Sequence, residues 1–197
     1  VTNNALLQEK HELTELRNLY QLDQTYADFP KTGCRIIAKE NGSWYHSFVI
    51  DKGSEDGLSV DMNVLADGGL VGRITYIGRH WSRVQAVIDD NSNVSATVLS
   101  SQKNLIVSGN LTLYEEGTIS FSELADPDDL VKVGDSVVTS NISDKYLPGI
   151  LIGYISEIQT DPNNLTKSGR ITPAVDFSRL DTVLVIQKLK QTAEDDG

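Results

Sequence analysis

The sequence predicts a mainly β protein in which an N-terminal helix of coiled-coil type is followed by two small β-barrel domains in tandem. Three observations predict it. The first about 28 residues contain no Gly or Pro, whereas everything after Phe29-Pro30 is broken at short intervals by Gly, Asn and Asp into runs of strand length. Those runs are too short and too evenly spaced for a parallel sheet with crossover helices. Two of the longer stretches also echo one another, which is the mark of a duplicated unit.

Taken in order, residues 1–29 read as a helix whose apolar positions Leu6, Leu13 and Tyr20 fall seven apart, with Leu16 between the last two. Glu9 and Asp23 interrupt the same seam. The seam suits pairing with a second chain and equally suits packing on its own domain. Phe29-Pro30 and Thr32-Gly33 then end the helix. Candidate strands follow as CRIIAKE, WYHSFVI, NVLA, LVGRITYIG, RVQAVI, VSATVL, LIVSG, LTLY, TISFSEL, SVVTS, ILIGYISEI, RITPAV and TVLVIQKL, several alternating apolar and polar. The domain reading is a first barrel over 34–107, a second over 108–189, and a frayed acidic tail over 190–197, with the sharing of the last strand left open.

The echo pairs GLSVDMNVLADGGLVGRITYIG with LVKVGDSVVTSNISDKYLPGILIGYISEI. By letters, Asp61 aligns with Asp135, Gly72 with Gly153, and Ile74 with Ile155. Gly72, Gly134, Asp135, Pro148, Gly149 and Gly153 are the residues expected to form the structural turns.

Composition narrows the function. Across 197 residues, 28 Asp and Glu outweigh 17 Lys and Arg for a net charge of −11, so phosphate backbones are repelled and nucleic acid is not an expected partner. One cysteine, Cys34, and three histidines supply neither a disulfide nor a zinc set, and no metal or cofactor is expected. No run of 18 apolar residues is present. Val1 opens onto helix-forming sequence without a start methionine, which predicts an upstream segment.

A hydrolase reading has to be weighed against these. Tandem barrels and the triplet Gly134-Asp135-Ser136 match the trypsin-like pattern, with His46 or His80 as base, Asp89 or Asp90 to orient it, and Ser136 as nucleophile. Against it, Ser136 leads into Val137-Val138, a β-branched pair that favours an extended strand over an oxyanion-binding turn. The letter alignment also sets Met62 at the place of Ser136, so the turn recurs without a hydroxyl. "DGGLVG" is followed by no helix and reads as a hairpin, not a phosphate cradle. A third reading, a glycan-binding module using Trp44 or Trp81, rests on those aromatics alone.

The stretches FVIDKGSEDGLSVDMNVLADGGLVGRITYIG, SRVQAVIDDNSNVSATV, VGDSVVTS, LPGILIGYISEI and PAVDFSRLDTVLV together resemble the extracytoplasmic region of the rod shape-determining MreC family. The resemblance runs from ELRNLY to TVLVI. Asn141 stands where the family usually has Gly, a substitution that keeps access to the left-handed conformation. What the resemblance implies is a non-enzymatic scaffold of the cell-wall elongation machinery, anchored by one transmembrane helix upstream, with its barrels outside the bacterial cytoplasmic membrane. It implies as partners a class B penicillin-binding transpeptidase, MreD and, indirectly, MreB and RodA, together with homodimerisation or higher self-association. Leu6, Leu13, Leu16 and Tyr20 are then the expected dimer contacts. Trp44, Tyr45, Trp81 and Phe177 are the expected partner anchors, since large aromatics often carry interface energy, and Phe177, within PAVDFSRL, equally suits plugging the space between the barrels.

Overall fold

The computed structural model describes residues 29–40, 42 and 44–191, together with Asn3, Ala5, Leu6 and Glu9, which are helical. Leu6 is exposed, and Leu13, Leu16 and Tyr20 of the seam lie outside the described residues. Among the described residues there are twelve strands, and they close into two barrels of six.

In chain order the first five are β1 (Lys31–Lys39), β2 (Ser47–Ile50), β3 (Asn63–Ala66), β4 (Gly69–Ile77) and β5 (Ser82–Ala86). The next six are β6 (Asn93–Val98), β7 (Asn104–Ser108), β8 (Ile119–Leu124), β9 (Ser136–Thr139), β10 (Leu151–Thr160) and β11 (Lys167–Pro173), and the last is β12 (Thr182–Ile186). The first barrel has the order β1-β12-β3-β4-β5-β2, and the second β10-β11-β8-β7-β6-β9. The boundary expected at 107/108 is therefore corrected to the linker at 87–92, because β6 and β7 pair with β9 and β8 of the second barrel. The last strand belongs to the first barrel, where it sits between β1 and β3. One barrel is thus inserted into the other. Its outgoing linker follows β5, and its return linker, 174–181, leads to β12.

Both barrels follow one plan. The hairpins β3-β4-β5 and β9-β10-β11 correspond, as do β1-β2 and β7-β8, and β12 holds in the first barrel the place that β6 holds in the second. The register corrects the letter alignment by one residue. Asp61 N–H donates to the Ile74 carbonyl (2.8 Å) and Ile74 N–H to the Met62 carbonyl (3.0 Å), while Gly134 N–H donates to Ile155 (2.7 Å) and Ile155 N–H to Asp135 (3.0 Å). Asp61 therefore matches Gly134, both with positive φ (74° and 95°), Met62 matches Asp135, and Asn63 matches Ser136. An aspartate tolerates the left-handed region well enough to fill a glycine's place there. The Gly72–Gly153 and Ile74–Ile155 matches stand.

Two sequence expectations change with the ladders in view. LTLY is a short helix, Leu111–Tyr114, because the Asn110 side chain accepts the Leu113 N–H (2.9 Å) and caps it. Gly72 and Gly153 lie inside β4 and β10, not in turns. Gly134 (φ 95°) and Gly149 (φ 82°) do sit in turns, and the Asp135 carboxylate accepts the Lys132 N–H at 2.9 Å. Pro148 is exposed beside Gly149.

Each barrel buries its alternate strand residues. Phe48, Ile50, Ile74, Val84, Val183 and Val185 fill the first, and Val98, Phe121, Val137, Ile152, Ile155 and Ile171 the second. In the second barrel the loop after β8 is fixed by Asp126, whose side chain is fully buried. It accepts from Leu130 N–H (2.9 Å), Val131 N–H (3.0 Å) and Lys167 Nζ (3.3 Å). Burial alone would raise its pKa; the two backbone donors and Lys167 outweigh that and hold it below the ordinary carboxylate range. A depressed folded-state pKa contributes stability above the unfolded value, about 3.9, that is lost as pH falls through the folded one. Asp126→Asn is expected to cost about 2 kcal/mol at pH 7. In chemical denaturation the gap between wild type and variant should narrow below about pH 4, and a gap independent of pH would refute this role.

Candidate partner-binding surfaces

The triad proposed for a hydrolase is not assembled. His46 Nδ1 does meet Asp89 Oδ2 at 3.2 Å, and Asp89 Oδ1 also accepts the Asn91 N–H (2.9 Å), so this pair ties the segment before β2 to the outgoing linker. Ser136 stands at the opposite end of β6. Ser92 N–H bonds the Asp89 carbonyl, whereas the Ser136 carbonyl accepts from Leu99 N–H. The intervening strand, Asn93 to Leu99, spans roughly 20 Å at about 3.3 Å per residue. His80 is an exposed partner of Glu55 (3.2 Å). Asp90 caps the short helix through the Leu111 N–H (2.8 Å).

The aromatics expected to anchor a partner divide into two groups. Trp44 and Phe177 close the space between the barrels, with Tyr45 beside them on the first. Tyr114 of the second barrel packs edge-on against Trp44 (5.5 Å, 83°) and Phe177 (5.8 Å, 82°), and its hydroxyl accepts the Phe177 N–H at 3.0 Å. Burial, foremost, raises the Tyr114 pKa. Tyr45 N–H donates to the Phe177 carbonyl (2.8 Å), and its ring packs edge-on against Phe48 (6.1 Å) beneath Lys39. Phe177 is fully buried and Trp44 half-buried. This corrects the expected role of Phe177 as a free anchor: a fully buried ring that joins two domains is not available to a third body. Trp44 is half-buried in the same plug, and Tyr45 packs on its own barrel. Trp81 differs, lying exposed and stacked on Tyr76 at 5.2 Å.

A second junction, missed in the sequence, lies on the outer wall of the first barrel. Asn63, 1% exposed, accepts the Leu147 N–H (2.8 Å) and donates to the Lys145 carbonyl (3.0 Å) of the β9–β10 connection. Asp61 receives Arg73 (2.6 Å) and Lys145 (3.1 Å). Tyr146 is buried beside them, and burial pushes its hydroxyl up to about 12. Thr139 holds both ends of that connection, donating to the Leu147 carbonyl (2.6 Å) and accepting from Ile150 N–H (2.8 Å). A polar cleft of about 250 Å³ remains alongside, lined in part by Arg73, Gln85, Asn93, Ser143 and Lys145. No sequence periodicity marks Asn63 as a bridge; its partner lies 84 residues away.

Exposed apolar side chains cluster elsewhere. Leu99 (55% exposed), Val133 (64%) and Tyr154 (43%) all lie on the outer wall of the second barrel, around Ser136. Among the described residues, closure leaves neither barrel a free strand edge, so side-chain faces and loops, not strand addition, are the means of docking. Among the described residues, no helix is long and apolar enough to cross a membrane, and no group of three or more His, Cys, Asp or Glu is placed to hold a metal.

Two six-stranded barrels, one inserted in the other and clasped by an aromatic plug and a polar bridge, define a double-barrel protein whose exposed features are surfaces for contact. The chain belongs to the family described as "Rod shape-determining protein MreC, barrel core", which matches residues 36–187. It is 30% identical over 193 residues to the cell shape-determining protein MreC of Listeria monocytogenes, covering 95% of this chain and 64% of that protein. It is likewise 30% identical to that of Bacillus subtilis, covering 93% of this chain and 66% of that protein. The chain thus spans about two thirds of the length of these relatives. The solved MreC structure from Listeria monocytogenes superposes with a TM-score of 0.75 at 27% identity, covering 96% of this chain and 95% of that one. A structure of a complex between penicillin-binding protein PBP2 and MreC from Helicobacter pylori shares the fold, with a TM-score of 0.59 at 14% identity over 81% of this chain and all of that one.

Proposed function

We propose that this chain is a non-enzymatic, extracytoplasmic scaffold of the bacterial cell-wall elongation machinery, which maintains cell shape by binding and positioning peptidoglycan synthases. The observation that carries the proposal is membership of the MreC family across the barrels. The Helicobacter relative in complex with a penicillin-binding protein supports a transpeptidase ectodomain as the direct partner. MreD is a second partner, and MreB and RodA are reached indirectly. The helix seam of Leu6, Leu13, Leu16 and Tyr20 brings two copies together, and an upstream membrane helix holds the barrels at the outer face of the cytoplasmic membrane. The separation of Ser136 from His46 and Asp89 weighs against the hydrolase. Trp81, stacked on Tyr76, is the remaining aromatic for the glycan reading, and no second observation favours it.

The test is a binding titration of the purified chain against the ectodomain of the same cell's elongation transpeptidase, with its division transpeptidase as control. Saturable binding to the first alone is expected. Equal binding to both, or labelling of Ser136 by a serine-directed phosphonate, would remove the proposal.

A further inference from the structure

The two barrels share a plan, so equivalent places on their walls can be compared directly. In the first barrel the lateral row Ile186, Asn63, Arg73, Gln85 and Ser47 crosses β12, β3, β4, β5 and β2. This row is covered at its centre by the second barrel, whose 145–147 segment bonds Asn63 directly, and Ile186 (0% exposed), Asn63 (1%) and Ser47 (8%) are all buried. The equivalent row in the second barrel is Leu99, Ser136, Tyr154 and Thr172. Neighbouring strands set these residues about 4.8 Å apart. Nothing in the chain described covers this row; Leu99 keeps the apolar character of Ile186, Ser136 and Thr172 the polar character of Asn63 and Gln85, and Tyr154 sets an exposed aromatic ring where the first barrel has the charge of Arg73.

From this repetition we infer that the Leu99–Ser136–Tyr154 row, with Val133 at its border, is a protein-docking face. Its occupant is a segment of the partner synthase that carries a large apolar side chain flanked by Lys or Arg. The first barrel supplies the precedent that this wall, in this fold, receives a polypeptide loop. Charge selects the occupant. Asp135, Glu116 and Glu157 stand around the row against Lys132 and Arg170, and Arg170 is held between the two glutamates. The local balance favours a basic segment on this face over the acidic wall of a second copy, whose pairing is assigned to the helix seam instead. The inference rests on the scaffold reading and adds to it the face and the chemistry of the contact.

The experiment titrates the elongation transpeptidase ectodomain against wild type, against Leu99→Ser/Val133→Ser/Tyr154→Ser, and against Leu165→Ser as an exposed-apolar control. Thermal unfolding verifies that each variant folds. Expected is a loss of about 10-fold or more in affinity for the triple variant and none for the control. Wild-type affinity should also fall as salt rises. Undiminished binding by the triple variant would overturn this face and leave the scaffold reading standing. Failure of the wild type to bind would bring down both. If sedimentation showed the triple variant losing self-association while keeping the transpeptidase, the occupant would be a second copy and the assignment would be wrong.

Discussion

Truncation after Asp181 is expected to abolish the cooperative fold of the first barrel while leaving the second closed. β12 lies between β1 and β3, so its removal unpairs two strands at once, exposes the interior that Val183 and Val185 fill, and takes away Ile186 from the covered outer wall, each 0% exposed. Burial of such side chains stabilises by about 1.5–3 kcal/mol apiece, and together they approach the roughly 5–15 kcal/mol by which a whole domain is held folded. Amide hydrogen exchange gives the readout. Phe48, Val64 and Ile74 should lose protection, whereas Val98, Phe121 and Ile152 keep theirs apart from the loss of support across the junction. Retained protection of Phe48 and Ile74 would mean that the barrel tolerates an open seam.

Gly72→Ala and Gly153→Ala should both be strongly destabilising, and similar in effect. A Cβ at Gly72 would sit 1.9 Å from the Gln85 carbonyl oxygen, and one at Gly153 would sit 2.2 Å from that of Thr172. In both cases the obstacle is the backbone of the adjoining strand, which cannot rotate away as a side chain can. The ladder has to separate or bend. Overpacking of this kind costs about 1–3 kcal/mol, and a lost ladder bond adds about 1 kcal/mol. Gly33→Ala, where nothing lies within 4 Å of the added methyl, is the internal control and should be near neutral. Thermal denaturation of the three variants checks the order; a mild Gly72→Ala would show that β4 can shift away from β5.

What the sequence made legible was local. Strand runs, their Gly and Asp turns, and the existence of a duplicated unit follow from alternation and from residues that tolerate particular φ values. The helix at Leu111–Tyr114 was hidden because LTLY alternates like a strand, and only the side chain of Asn110 decides otherwise. The echo was misaligned by one because Asp61 and Asp135 share a letter, whereas the backbone matches residues by φ and hydrogen bonding. The assignment of TVLVI was not legible at all: an alternating apolar strand suits either barrel, and its partner β1 lies about 150 residues back. The same limit applied to the candidate contacts. Large aromatics announce burial energy without saying who supplies the other surface: for Trp44 and Phe177 it is Tyr114 of this chain's own second barrel, and for Tyr45 it is Phe48 of the first.

The interlocked connectivity also dictates an order of events during synthesis. By Pro173 the second barrel has all six of its strands, while the first, begun earlier, still waits for its sixth. The barrel nearest the N-terminal segment is therefore the last to finish. A nascent chain interrupted anywhere between 174 and 181 carries a completed second barrel on an unsealed first one, with the edges of β1 and β3 open to a protease or to a second such chain. Completion of β12 acts as a proofreading step: only a chain synthesised past Ile186 presents a closed first barrel.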